Sequence, residues 1–331
     1  MNFAPVQNIA TAILYEGYIL YPYRPSAIKN RQRWNFGTLY PRVYAEAQHP
    51  QEPFRFVAEC LVEAGADEAM LDLKIQFLQL VRKQNDSAAL PDDALHRLSS
   101  PSLGWDEAVE CNAEQSNLRL DDLINFPLTL APQIHAVGMP GDLSDTSQQE
   151  LLAMLKIGVE LLPSGARKLR LEVENASLLL HGAASRRDEA LPLSFVSAHV
   201  LLGITGGKFI SLLDPAGIYC EAVAGCSNVG VFPVLAGKEP DRTIMLCSPI
   251  ILYDYPKIAP ESAGDFFDGT EMDEMLTLRV LTLTDAEKEE MRNGDPRAKK
   301  ILERTEARAN ELLMKSHGTI REMRGIGENT P

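Results

Sequence analysis

Two segments of the chain concentrate side chains able to do chemistry. Residues 15–36 (YEGYILYPYRPSAIKNRQRWNF) set Arg24, Lys29, Arg31 and Arg33 among Tyr15, Tyr18, Tyr21, Tyr23 and Trp34. A guanidinium fork grips a carboxylate through two parallel hydrogen bonds and stacks on aromatic faces, and arginine and aromatic residues dominate binding hot spots. Tyr21, Tyr23, Arg24, Arg31, Arg33 and Trp34 are therefore candidate partner-binding residues. In the competing reading the arginines pair with the chain's own surplus carboxylates and the tyrosines cover a sheet face. Residues 248–274 (SPIILYDYPKIAPESAGDFFDGTEMDE) form a loop rich in proline and glycine that carries Asp254, Glu261, Asp265, Asp268, Glu271, Asp273 and Glu274. Carboxylates grouped on one loop suit a hard divalent cation. Asp254, Glu261, Asp265 and Asp268, with His199, make up the alternative: a metal-handling protein or metal-dependent enzyme. Their spacing does not follow the D-x-[DN]-x-[DN]-G calcium loop, and a solvated loop or docking surface competes with that alternative.

Nothing else in the sequence points to a reaction. The histidines (His49, His96, His135, His181, His199 and His317) form no HxH or HExxH pair, and Cys220 and Cys226 are too far apart for CxxC. GxxxxGK[ST], a strand-linked GxGxxG and GxSxG are all missing. No catalytic residue is assigned and no cofactor is expected, a divalent metal entering only with the alternative. The net charge of -14 and pI near 5.0 disfavour phosphate backbones and anionic lipid as partners. No apolar run approaches the ~20 residues that span a bilayer, and Glu16 interrupts the first one, so neither a leader nor membrane insertion is expected. Five scattered cysteines read as buried thiols in a reducing, cytoplasmic setting.

The elements that must position these residues show a period of two. Phe54, Phe56, Ala58, Cys60 and Val62 alternate with Arg55, Glu59 and Glu63, and Leu71, Leu73, Ile75 and Phe77 with Asp72, Lys74 and Gln76. A turn at Ala66-Asp67-Glu68 would make these two strands an antiparallel pair. Residues 157–174 read as a hairpin about Pro163-Ser164-Gly165, and 196–213 as a second hairpin about Gly206-Gly207. Around Pro127, Phe126 to Leu130 reads as an edge strand. A short helix is expected within 215–228, and strands at Met245-Leu246, Ile250–Tyr253 and Leu276–Leu281. Thr284-Asp285-Ala286-Glu287 is a capping box, and Asp295-Pro296 starts another helix, so residues 285–323 should hold two or three short helices. The expected class is α+β, mainly antiparallel β (a sandwich or curved sheets), with a short helical C-terminal segment. The expected divisions are a β-rich 1–83, an irregular 84–150, a central β domain over 151–283, helices over 284–324 and a frayed 325–331.

Three long strings carry a resemblance: LYEGYILYPYRPSAIKNRQRWNFG (14–37), FVSAHVLLGITGGKFISLLDP (195–215), and 248–288 from SPIILYDYP to LTDAEK. The chain resembles an uncharacterised bacterial family encoded beside the genes of high-affinity uptake nickel–iron hydrogenases. The resemblance implies a cytoplasmic accessory role in hydrogenase biogenesis, assembly or attachment. With the missing catalytic motifs and the aromatic and arginine segment, the expectation is a non-enzymatic accessory or assembly protein that binds a hydrogenase subunit or a maturation factor. The resemblance transfers no site residue.

Overall fold

The computed structural model describes residues 1–24, 27, 30, 35–65, 68–83, 107–137, 146–147, 149–179, 186–258, 266–268 and 272–316. The chain forms two compact units: Met1–Tyr18 with Arg33–Lys257, and Ile19–Gln32 with Ile258–Pro331. The larger contains β1 (Arg55–Ala64), β2 (Met70–Lys83), β3 (Glu107–Arg119), β4 (Leu128–Leu130), β5 (His135–Val137) and β6 (Thr146–Ser147). It continues with β7 (Ala153–Leu161), β8 (Arg167–Asn175), β9 (Val196–Thr205), β10 (Gly207–Ile210), β11 (Phe232–Ala236) and β12 (Ile244–Ser248). One sheet runs β10-β1-β8-β7-β4. The other runs β11-β12-β9-β2-β3-β5, with β6 beside β2. The described strand pairs are antiparallel, so the fold is α+β with antiparallel sheets predominating.

The alternation expected from sequence faces one shared core. Phe56, Ala58, Cys60 and Val62 of β1 meet Leu71, Leu73, Ile75 and Phe77 of β2 there, with Ala198, Val200, Leu202 and Ile204 of β9. Side chains from both sheets interdigitate in that layer, which is sandwich packing. Strands expected in separate divisions of the chain thus share the same sheets. The outer side of the β9-β12-β11 region is covered by helix α1 (Gln7–Leu14), whose Ala10 and Ile13 pack with Leu201, Val234 and Leu246.

The hairpin at 157–174 is present as β7–β8, turning at Gly165 with φ +80°. The other two expected hairpins are corrected. β1 pairs with β8 and β10, β2 pairs with β3 and β9, and β9 does not pair with β10. Instead β1 and β2 on one side, and β9 and β10 on the other, run as a two-stranded ribbon. It leaves the first sheet at Ala64↔Gly207 and enters the second at Met70↔Thr205. Gly206 turns this corner with φ +74°, and its carbonyl accepts from the Gly65 N–H at 3.0 Å. A hairpin and a sheet-to-sheet corner ask for the same positive-φ glycine, so the local sequence does not separate them.

The edge strand near Pro127 is present as β4, with Phe126 outside it and exposed. Helix α2 (Arg42–Ala47) precedes β1, α3 (Leu120–Asn125) and α4 (Arg187–Ala190) link strands, and the short helix within 215–228 is α5 (Cys220–Ala224). The smaller unit holds α6 (Asp273–Leu281), α7 (Asp285–Gly294) and α8 (Pro296–Ser316), with α6 and α7 both packed on α8. Leu276–Leu281, expected as a strand, is helical. Leu276, Thr277 and Val280 are buried at helical spacing, and Asp273 and Glu274 occupy the first turn, where the helix dipole favours them. Thr284 and Glu287 form the expected capping box, and Asp295 Oδ1 accepts from the N–H groups of Arg297 and Ala298 at 2.7 and 3.2 Å. α8 spans 21 residues, so it is not short.

Gly206→Ala tests the corner. An added Cβ would stand 2.5 Å from the Glu68 carbonyl oxygen, whereas at Gly165 it would meet nothing within 4 Å. Urea melts should show Gly206→Ala losing at least about 2 kcal/mol more than Gly165→Ala, since only the first adds a backbone clash to positive-φ strain. Equal losses would remove the corner's special status.

Candidate functional site

The partner-binding candidates of the first segment are partly consumed inside the smaller unit. Tyr23 is wholly buried, and its hydroxyl donates to the Phe266 carbonyl at 3.1 Å. Arg24 meets Glu287 at 3.1 Å and Glu290 at 3.5 Å. Tyr21 packs edge-on to Tyr23 and lies under the Arg279 guanidinium, 5.6 Å from its ring centre. Asn30 clamps the turn, accepting from the Leu20 N–H and donating to the Leu20 and Arg24 carbonyls. The Tyr23 ring is thus buried, while the Arg24 guanidinium is paired within the unit and 24% exposed. Arg31, Arg33 and Trp34 lie outside the described residues.

Of the metal candidates, Asp254, Asp268 and His199 are described. Glu261 and Asp265 lie outside the described residues, and Asp268 belongs to the smaller unit. Asp254, in the larger unit, has both oxygens engaged: Ser211 Oγ donates to Oδ2 at 2.5 Å and the Leu235 N–H to Oδ1 at 2.7 Å. His199 is fully buried on the face of β9 opposite the core, as alternation required. Its Nδ1 is 2.9 Å from the Ser197 carbonyl, which can only accept, so Nδ1 carries the proton and Nε2 is left as an acceptor. Nε2 has no hydrogen-bond partner among the described residues. Burial pushes this imidazole down to about 4, so it is neutral at pH 7. Among the described residues no three His, Cys, Asp or Glu side chains group closely enough to hold a metal ion.

What Asp254 does hold is a surface. β11 is the edge strand of its sheet, and such an edge exposes unpaired N–H and C=O groups. The outward pair at Leu235 is taken, its N–H by Asp254 and its C=O by the Tyr255 N–H at 2.7 Å. Two residues earlier the same side falls to Pro233, which has no N–H to offer. The edge is therefore closed to strand addition. The chain returning from Ser248, opposite Phe232, reaches this edge at Asp254 and Tyr255. Within it Ile250 and Leu252 pack inward beside α1, while Ile251 is 75% and Tyr253 87% exposed. Phe232, on the edge strand itself, and Val229 before it are exposed too. The result is an aliphatic and an aromatic side chain aimed outward from a segment fixed on its other side.

Sequence reasoning placed a docking surface among the readings of residues 248–274 but looked to the acidic residues rather than to Ile251 and Tyr253. It expected a strand at Ile250–Tyr253. The alternation is there, but the segment is held by side chains and one aspartate rather than by a ladder of backbone bonds. No protein-family model matches the chain, and no curated protein matches it.

Two outcomes follow from this geometry. Asp254→Ala leaves the Leu235 N–H and Ser211 hydroxyl without their acceptor. It should cost about 1–3 kcal/mol in denaturant melts and raise hydrogen exchange at Leu235 and Tyr255. Unchanged exchange there would show that the segment is held in place by other contacts. His199 has a folded-state value below its unfolded one, so its contribution is complete above pH 6.5 and falls away as pH drops toward 4. Wild-type stability should lose about 3 kcal/mol more than His199→Gln over that window. Parallel pH profiles would mean that the imidazole is not held neutral.

Proposed function

We propose that this protein is a non-enzymatic accessory or assembly factor that works by holding another protein, and that its docking surface is centred on Ile251 and Tyr253. The observation that carries this reading is the alternation Ile250 in, Ile251 out, Leu252 in, Tyr253 out on a segment tied to β11 by Asp254. Large apolar side chains fixed before binding lose little freedom on association, and aromatic anchors contribute most of the energy in such surfaces. The setting, nickel–iron hydrogenase biogenesis with a hydrogenase subunit or a maturation factor as partner, rests on the sequence resemblance.

Affinity capture of the tagged protein from its native host, with quantitative mass spectrometry, tests both parts. Wild-type protein should enrich hydrogenase subunits or maturation factors. The Ile251→Ser/Tyr253→Ser variant, folded normally by circular dichroism, should retain at least about thirtyfold less, the loss expected of a hot spot worth 2 kcal/mol or more. Equal capture by the variant would move the surface elsewhere, and enrichment of proteins unrelated to hydrogenase would refute the setting.

A further inference from the structure

The outer face of the five-stranded sheet has its charges sorted by depth. The carboxylates of Glu59, Glu172 and Glu174 are only 6–13% exposed, whereas Arg42, Arg55, Lys156 and Arg170 are 48–56% exposed. Each carboxylate holds cations above it: Glu59 takes Arg170 and Lys168, Glu172 takes Arg55 at 3.1 Å and Lys156 at 2.9 Å, and Glu174 takes Arg42 and Lys156. Burial works against charge at Glu59, but the Ser227 N–H, Arg170 and Lys168 hold its carboxyl below the usual range. Lys156 and Arg55 do the same at Glu172, again against burial. Glu59 and Glu172 are therefore ionised at neutral pH and fix the cations paired with them. Arg42 and Arg55 are steadied further by the Phe54 ring, with guanidinium carbons 5.1 and 5.7 Å from its centre.

Lys156, Lys168 and Arg170, with Glu59, Glu160, Glu172 and Gly158, line a half-open cavity of about 410 Å³, and Gly158 stands opposite Arg170 in the β7–β8 register. A glycine inside a strand often marks close approach by a ligand or another chain. A Cβ here would make only ordinary contact with Pro127, at 3.6 Å, so packing alone does not demand glycine. Among the described residues Arg170 spends only Nη1, on Glu59, and Nε and Nη2 have no partner there. Glu46 and Glu160 stand at the rim, so the face is balanced in formal charge and its outward donors, not a long-range field, would do the binding.

We propose that this face is a second interaction surface, which receives an acidic peptide segment of a partner protein by seating a carboxylate over Gly158 against Arg170 and Lys156. Cations held from below lose little freedom on pairing, and Arg170 can still offer two donors from one plane.

The probe is a fluorescein-labelled twelve-residue glutamate-rich peptide, titrated with the full chain and followed by anisotropy. Arg42→Gln/Arg170→Gln is the informative variant, because Glu59 keeps Lys168 and Glu174 keeps Lys156, so no buried carboxylate is stranded. Wild-type protein should bind, more weakly as salt is raised. The variant should bind at least about tenfold more weakly while keeping the wild-type circular-dichroism spectrum, and Lys238→Gln, outside the face, should match wild type. No binding, or equal binding by wild type and the double variant, would overturn the proposal. Tighter binding of oligo-dT than of the peptide, through the same arginines, would assign the face to nucleic acid and overturn the acidic-peptide reading as well.

Discussion

The larger unit depends on one steric constraint, the close passage of two backbones where the ribbon of β1–β2 and β9–β10 changes sheets. At Gly206 the two strands approach so tightly that a methyl group would collide with the Glu68 carbonyl. That corner lets four strands belong to two sheets, and so lets the alternating residues of all four face one core. The corner also sets the outer face of each sheet. One carries the two charge layers over Glu59 and Glu172, and the other receives α1.

From the second sheet the constraint passes to its edge. β12 lies beside β9, and β11 beside β12, so the position of β11 follows from the ribbon. A bare edge invites other strands. Here proline removes one donor and Asp254 with Tyr255 occupies the next pair, which leaves side chains as the edge's means of contact. The same aspartate that occupies the edge ends the segment whose Ile250 and Leu252 pack inward and whose Ile251 and Tyr253 are exposed.

Much of this was legible in the sequence where the signal is local. The core faces of β1, β2 and β9 follow from alternation, the β7–β8 hairpin from Pro163-Ser164-Gly165, and the start of α7 from Thr284 and Glu287. Pairing was not legible, because Gly206 serves a corner as readily as a hairpin. Leu276–Leu281 misled because short apolar runs suit either period, and burial within the smaller unit decides for the helix. At the site, aromatic and basic residue types drew attention to Tyr23 and Arg24, yet type does not reveal burial, and both are used internally. The stronger surface signal was the alternation Ile250 to Tyr253 followed by an aspartate, whose meaning appears only once Leu235 is known to lie on an edge.

The most direct measurement of a docking role is photo-crosslinking in the native host from p-benzoylphenylalanine placed at position 253, with position 161 on the exposed end of β7 as the reference. Docking through the β11 edge predicts a discrete adduct from position 253 containing a hydrogenase subunit or maturation factor, and no such adduct from position 161. The same pattern of adducts from both positions, or none from 253 in correctly folded protein, would contradict it.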